Sequence, residues 1–228
     1  MNKYEIVRKI EKFAPPETQE KWDCSGWAVD IGKKSDSNEI KRILFTLTVT
    51  DKTIKQAREK GCDMIISHHP LFYVPFEWQD INIYCAHTNL DKAEGGTTDR
   101  LIKELGLEKT DSFEFTRIVR LNEPTSIENF RQKLLKISPK LRYINNYNKE
   151  KIQTIGFCAG SGSEFIDEYD TDAFVTGDLK FHKALEVRQV VFDIGHFESE
   201  IFAPIILKEI TGIDDNMGVI ADEKSPFI

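Results

Sequence analysis

Only five histidines occur in the 228 residues, and their placement is the feature that could do chemistry. His68 and His69 are adjacent and follow the apolar run Met64-Ile65-Ile66-Ser67. His87 follows Ile83-Tyr84-Cys85-Ala86 and precedes Asp91 by four positions. His182 follows Asp178 by four, and His196 precedes Glu200 by four. Imidazole with carboxylate and without cysteine is the donor set of Zn, Fe, Mn, Co or Ni, and it leaves coordination positions open for water. Taken singly, a histidine at a strand end is more often a satisfied surface or core group than a ligand, and an acid four residues away on a helix is often a solvated ion pair. The doublet shifts the balance. Adjacent side chains on an extended strand point to opposite faces, so His68 and His69 serve one site only where the chain turns. Pro70 fits such a turn, because it restricts His69 to extended geometry and blocks a helix there.

The elements that must position these groups follow from periodicity. Helices are expected over 5–13, 51–61, 97–105, 126–136, 164–168, 180–187 and 199–210, with Asp51 and Thr125 or Ser126 as N-caps. Strands are expected over 43–49, 64–66, 81–86, 113–121, 141–147, 152–158, 173–176 and 189–194. Strands alternating with helices imply an α/β fold with largely parallel pairing. A change of tempo near 110–125 divides the chain into two α/β halves, expected as domains 1–115 and 116–228, with the last segment able to pack back on the first. Each histidine cluster falls at the carboxyl end of an expected strand, the edge where open α/β sheets bind ligands.

Composition narrows the function classes. There are 31 basic and 38 acidic side chains, a formal charge of −7, so neither duplex DNA nor an anionic membrane is the expected partner. No apolar run approaches the roughly 18 residues needed to cross a bilayer, and residues 1–12 lack the apolar core of a signal peptide, so a cytoplasmic protein is expected. Cys24, Cys62, Cys85 and Cys158 form no C-x-x-C pair and are expected as reduced thiols. Ala159-Gly160-Ser161-Gly162-Ser163 has backbone N–H groups suited to a phosphate but lacks the P-loop lysine, and a plain tight turn is the better reading. Trp22, Tyr73 and Trp78 have rings that stack on a base, although packing is the commoner role for each.

Taken in order, four blocks carry a resemblance. They are Ser67-His68-His69-Pro70-Leu71-Phe72, Ala86-His87-Thr88-Asn89-Leu90-Asp91, Thr176-Gly177-Asp178 with His182, and Gly195-His196-Phe197-Glu198-Ser199-Glu200. They resemble the signature blocks of the GTP cyclohydrolase 1 type 2 homologues, the NIF-three-like family, and Trp22-Asp23-Cys24-Ser25-Gly26 resembles that family's early W-D-N-x-G block. The similarity runs from about residue 5 to about residue 220, and the length matches the short form without an inserted domain. The resemblance implies two similar α/β domains facing each other across a cleft with a dinuclear metal site, in a ring-shaped homohexamer. By motif position the ligands are His68, His69, Asp91, His196 and Glu200, with His68 and Asp91 mainly on one ion and His69 and His196 on the other. His87, Asp178 and His182 are then expected to orient ligands or shuttle protons. The chain departs from the family pattern at Cys24, Trp27, Thr48, Asp178 and Phe181, and none of these removes a ligand.

Two ions about 3.5–4 Å apart bridge a water and lower its pKa toward neutrality. The expected activity is therefore hydrolysis, by attack on a ring carbon, a phosphorus or an amide carbon, and the resemblance implies a small, nucleotide-like molecule as the substrate. The alternative is a metal-stabilised oligomeric scaffold or regulatory protein without turnover. A mononuclear oxygenase is the weaker third reading, because five ligands exceed its need.

Overall fold

Apolar residues at helical spacing shape α1 (Lys3–Phe13), whose Ile6, Val7 and Ile10 are buried while Asn2 caps Tyr4 N–H. In the computed structural model, which describes residues 1–32 and 38–227, the chain continues through β1 (Gly26–Val29), β2 (Ile43–Thr46), α2 (Asp51–Glu59), β3 (Met64–Ser67), β4 (Asn82–Cys85) and α3 (Thr88–Lys92). Next come α4 (Thr97–Glu104), β5 (Asp111–Ser112), β6 (Arg117–Ser126), α5 (Ile127–Leu134), β7 (Arg142–Ile144) and β8 (Lys151–Phe157). The remaining elements are β9 (Ala173–Thr176), α6 (Phe181–Glu186), β10 (Val190–Asp193), α7 (His196–Glu200), α8 (Ala203–Thr211) and β11 (Gly218–Ile220).

Two compact units result. The first holds Met1–Gly96 and Ala203–Lys224; the second is built on Thr97–Phe202. The first unit's sheet has the order β1-β4-β3-β2-β11, with β4, β3, β2 and β11 parallel and β1 antiparallel at one margin. Leu44, Ile65 and Ile83 pack on one face with Ile54 and Ala57 of α2. Phe45, Met64, Ile66 and Tyr84 are equally buried on the other face, where α8 packs against β2 and β3. Strands buried on both faces read as unbroken apolar runs, which is why periodicity located them without giving their facing.

The second unit's sheet has the order β5-β6-β8-β9-β10-β7, parallel through β8, β9 and β10 and antiparallel at β6 and β7. Alternate residues again go to opposite cores: Val175 and Phe192 to one, Phe174 and Val191 to the other. The fold is thus α/β with two mixed sheets, and the antiparallel margins qualify the largely parallel pairing expected.

Several element boundaries differ from expectation for identifiable reasons. Thr50, not Asp51, caps α2, because its hydroxyl and the Thr53 side chain form a reciprocal capping box. Residues 113–116 are a hairpin turn closed by Phe113 N–H to Thr116 O at 2.8 Å, so the strand starts at Arg117. Residues 164–168 give only a three-residue 3₁₀ turn, Ile166–Glu168. The helix expected over 199–210 is two helices, and Pro204 sits in the first turn of α8, where its missing N–H costs least.

Candidate metal centre

Parallel strands end on the same side. Thr46, Ser67 and Cys85 are register partners at the ends of β2, β3 and β4, so the segments just beyond them carry Thr48, His68, His69 and His87 along one edge. The register persists past the strand ends, because His68 and His69 N–H donate to Thr46 and Leu47 O at 3.2 and 2.8 Å. This keeps the doublet against the sheet while the side chains converge. The ligand-type atoms of His68, His69 and His87 lie within 4.8 Å of one another. Their ring centroids are 5.1, 5.2 and 5.8 Å apart.

The ring nitrogens are committed in a consistent way. His68 is fully buried, and its Nδ1 lies 2.9 Å from Ala86 O, which can only accept, so Nδ1 carries the proton. Its Nε2 faces Asp91 Oδ1 at 3.4 Å. A lone pair opposed to a carboxylate in a buried place requires a proton or a cation between them. His69 Nδ1 lies 2.7 Å from the Thr48 hydroxyl. His87 Nδ1 lies 3.0 Å from Asp23 Oδ1. The Asp23 carboxylate is fully buried and also receives Cys24 N–H at 2.7 Å, Ser25 O–H at 2.9 Å and the Thr88 hydroxyl at 2.5 Å. Burial opposes its charge, but the bonds from His87 and Thr88 outweigh burial and hold its pKa well below the usual carboxylate range.

The second unit repeats the arrangement at the carboxyl ends of β9 and β10. His196 opens α7, with Nδ1 2.7 Å from Asp178 Oδ2 and Nε2 2.9 Å from Glu200 Oε2. Glu200 beside Nε2 raises the imidazole pKa, burial opposes that, and Asp178 adds to the rise, which reaches about 9. A metal bound at Nε2 therefore has to displace a proton. Asp178 holds a left-handed backbone conformation, φ 52°, uncommon away from glycine and a form of local strain found at functional positions. Glu200 is buried against Gly160, where a Cβ would overlap its carboxylate.

His182 stands apart. It is exposed on α6, its ring edge-on to Phe181 at 5.5 Å, and it joins no group of ligand-type side chains among the described residues. The four-residue spacing from Asp178 is not a helical one, because the helix begins only at Phe181. The Gly-Ser loop offers no phosphate cradle at two of its amides: Gly160 N–H donates to Ser199 Oγ at 2.9 Å and Gly162 N–H to Thr176 Oγ1 at 2.8 Å. All four cysteines are free thiols. No helix among the described residues is long and apolar enough to cross a membrane.

Sequence reasoning gave no role to Asp23 or Thr48 and read Gly160 only as part of a tight turn. Asp23 lies in a quoted block, but its partner is 64 positions away. Thr48 was visible only as a departure from the family pattern, and here its hydroxyl lies against Nδ1 of His69.

Comparison with known proteins agrees in coverage and fold. The family model described as Duf34/NIF3 (NGG1p interacting factor 3) matches residues 1–220. A Clostridium perfringens protein named GTP cyclohydrolase 1 type 2 homolog is 30% identical, over 98% of this chain and 97% of its own. NIF3-like protein 1 of Drosophila melanogaster is 28% identical, over 90% and 82%. Among solved structures, reduced HcgD from Methanocaldococcus jannaschii matches with a TM-score of 0.81 at 25% identity, over 96% of this chain and 97% of that one.

Proposed function

The chain belongs to the Duf34/NIF3 family, and from that premise we propose that it is a metal-dependent hydrolase acting on a small, nucleotide-like substrate. In this reading His68, His69, Asp91, His196 and Glu200 together hold two divalent ions of the Zn, Fe, Mn, Co or Ni class. The observation that carries it is the division of labour on the rings. Nδ1 of His68, His69, His87 and His196 is each engaged by a protein oxygen, and Nε2 of His68 and of His196 faces a carboxylate. Partners of that kind fix the tautomer and aim of metal-ligating histidines.

Bound divalent ions supply Lewis acidity and a water that ionises near neutral pH. The chain's own residues do the rest. Asp23 holds the His87 ring in place beside the doublet, so that His87 Nε2 can take or return a proton. Asp178 fixes His196. His182, exposed on α6, would meet a substrate from the solvent side. The relatives' name, GTP cyclohydrolase 1 type 2 homolog, supports a nucleotide as the substrate class.

The test is elemental analysis of the purified chain, followed by turnover assays on metal-stripped and reloaded protein with GTP and a phosphoester panel. Close to two ions per chain, falling in both His69→Ala and Glu200→Ala, with turnover restored by reloading, supports the reading. Metal content near zero under replete conditions overturns it. Two ions without turnover supports the scaffold alternative instead. The proposal extends to a cytoplasmic homohexamer, for which light scattering in solution is the check.

A further inference from the structure

Trp22 is 61% exposed, an unusual state for the largest apolar side chain, and its ring lies edge-on to His87 with centroids 6.0 Å apart. It does not hang on a loose loop. Asp23 N–H closes the turn onto Glu20 O at 3.0 Å, and Glu20 N–H donates to Thr88 Oγ1 at 2.9 Å. Lys92 Nζ donates to Glu20 Oε1 at 2.5 Å, and the buried Asp23 carboxylate is tied to both His87 and Thr88. An exposed indole on a turn pinned from both sides is preorganised: its conformational cost is met in folding rather than on binding. Trp78, by contrast, is buried in the core of the same unit.

We infer that Trp22 is the platform on which the flat heterocycle of the substrate stacks, a purine-type base held beside His87. The inference rests on the hydrolase reading for the identity of the ligand, and it adds the residue that selects it. Indole is the best aromatic partner for a π-face, and base–aromatic stacking is worth about 1–3 kcal/mol per base. The phosphate or sugar of such a molecule gains nothing from the ring, so Trp22 should discriminate by base alone.

The experiment is titration calorimetry on the metal-loaded full chain with GMP and with ribose 5-phosphate, which lacks the base. GMP should bind at least about tenfold more tightly than ribose 5-phosphate. Trp22→Ala should weaken GMP by about tenfold and leave ribose 5-phosphate unchanged, while Trp22→Phe stays within about threefold of the parent. Elemental analysis should find the metal content of both variants unaltered. The inference is overturned if the parent binds no GMP, or if Trp22→Ala binds GMP like the parent, including the case where only its oligomeric state changes. Loss of metal in Trp22→Ala also overturns it, since the indole would then be supporting His87. Trp22-dependent GMP binding by a chain that takes up no metal would leave this inference standing and remove the hydrolase reading.

Discussion

The carboxylate of Glu200 can occupy its position only because residue 160 has no side chain. Gly160 holds φ +68°, and a Cβ there would overlap Glu200 Oε1. Gly160→Ala therefore meets two penalties, a strained left-handed backbone worth about 1 kcal/mol and displacement of the buried acid. Misplacing a ligand or its support typically costs about 10–100-fold in metal affinity. The expected result, read by competition with a chromogenic chelator, is a loss in that range, with thermal unfolding lowered by a few degrees, as about 1 kcal/mol of strain requires. An affinity equal to the parent's would show that Glu200 holds no metal. The sequence displayed Gly160 only as part of a tight turn. What it could not display is the neighbour, because contact between residues forty positions apart is a property of β8, β9 and β10 lying side by side. The histidines were legible for the opposite reason: a rare residue type placed at the ends of apolar runs needs no long-range information. His182 shows the limit of that reasoning, since its spacing from Asp178 mimicked a helix that begins three residues too late.

Local rules decide the elements, and two carboxyl and hydroxyl caps test them. Thr50 and Thr53 form the capping box of α2, whereas Asp51 is an exposed residue of the first turn. Thr50→Ala should cost about 1 kcal/mol and Asp51→Ala only a few tenths, measured by urea denaturation. Equal losses would return the cap to Asp51. Asp172 performs a comparable task between strands, receiving Gln153 N–H at 2.9 Å, Thr154 N–H at 3.0 Å and the Thr154 hydroxyl at 3.0 Å. Partial burial opposes its charge, yet the bonds from Thr154 and Gln153 with Lys149 nearby lower its pKa from 3.8. A carboxylate whose folded pKa is depressed stabilises the fold above the unfolded value and loses that contribution as pH falls through the folded one. Asp172→Asn should thus destabilise the chain at pH 7 by roughly 1 kcal/mol, discounted because the side chain is 38% exposed. The gap should close below about pH 4. A gap independent of pH would mean that shape, not charge, is what Asp172 supplies. Long periodic helices and fully buried four-residue strands were readable at this scale. β5, β11 and α3 were not, being too short for any period to rise above background, and β1, as long as the strands that were read, is only half-buried and gives no apolar run of their kind.

At the scale of the whole chain, residues near 220 support residues near 47. After leaving the first unit at Gly96, the chain returns to it at Ala203. There α8 packs on α1, and β11 adds a parallel strand beside β2, with Val219 opposite Leu44. Just beyond β11, Glu223 accepts two backbone bonds at the end of β2, from Leu47 N–H at 2.7 Å and Thr48 N–H at 3.0 Å. Those residues are the platform of the doublet, because Leu47 O receives His69 N–H and the Thr48 hydroxyl holds His69 Nδ1. No periodicity or motif announces such a brace, for it joins positions more than 170 apart in sequence. Removing the acid leaves two amides at a strand end without their acceptor, a loss of about 1–3 kcal/mol where water cannot replace it. The damage should stay local, since β2 itself remains paired on both sides. Glu223→Ala is therefore expected to speed hydrogen exchange at Leu47 and Thr48 by tenfold or more, in line with about 1.4 kcal/mol per decade. Exchange within β8 and β9 should not change. Metal affinity should fall through His69 alone, and Glu223→Gln, which keeps one acceptor oxygen, should recover part of both effects. Uniform acceleration across the first unit would instead make Glu223 a determinant of global stability, and the brace on His69 would no longer be its distinguishing role.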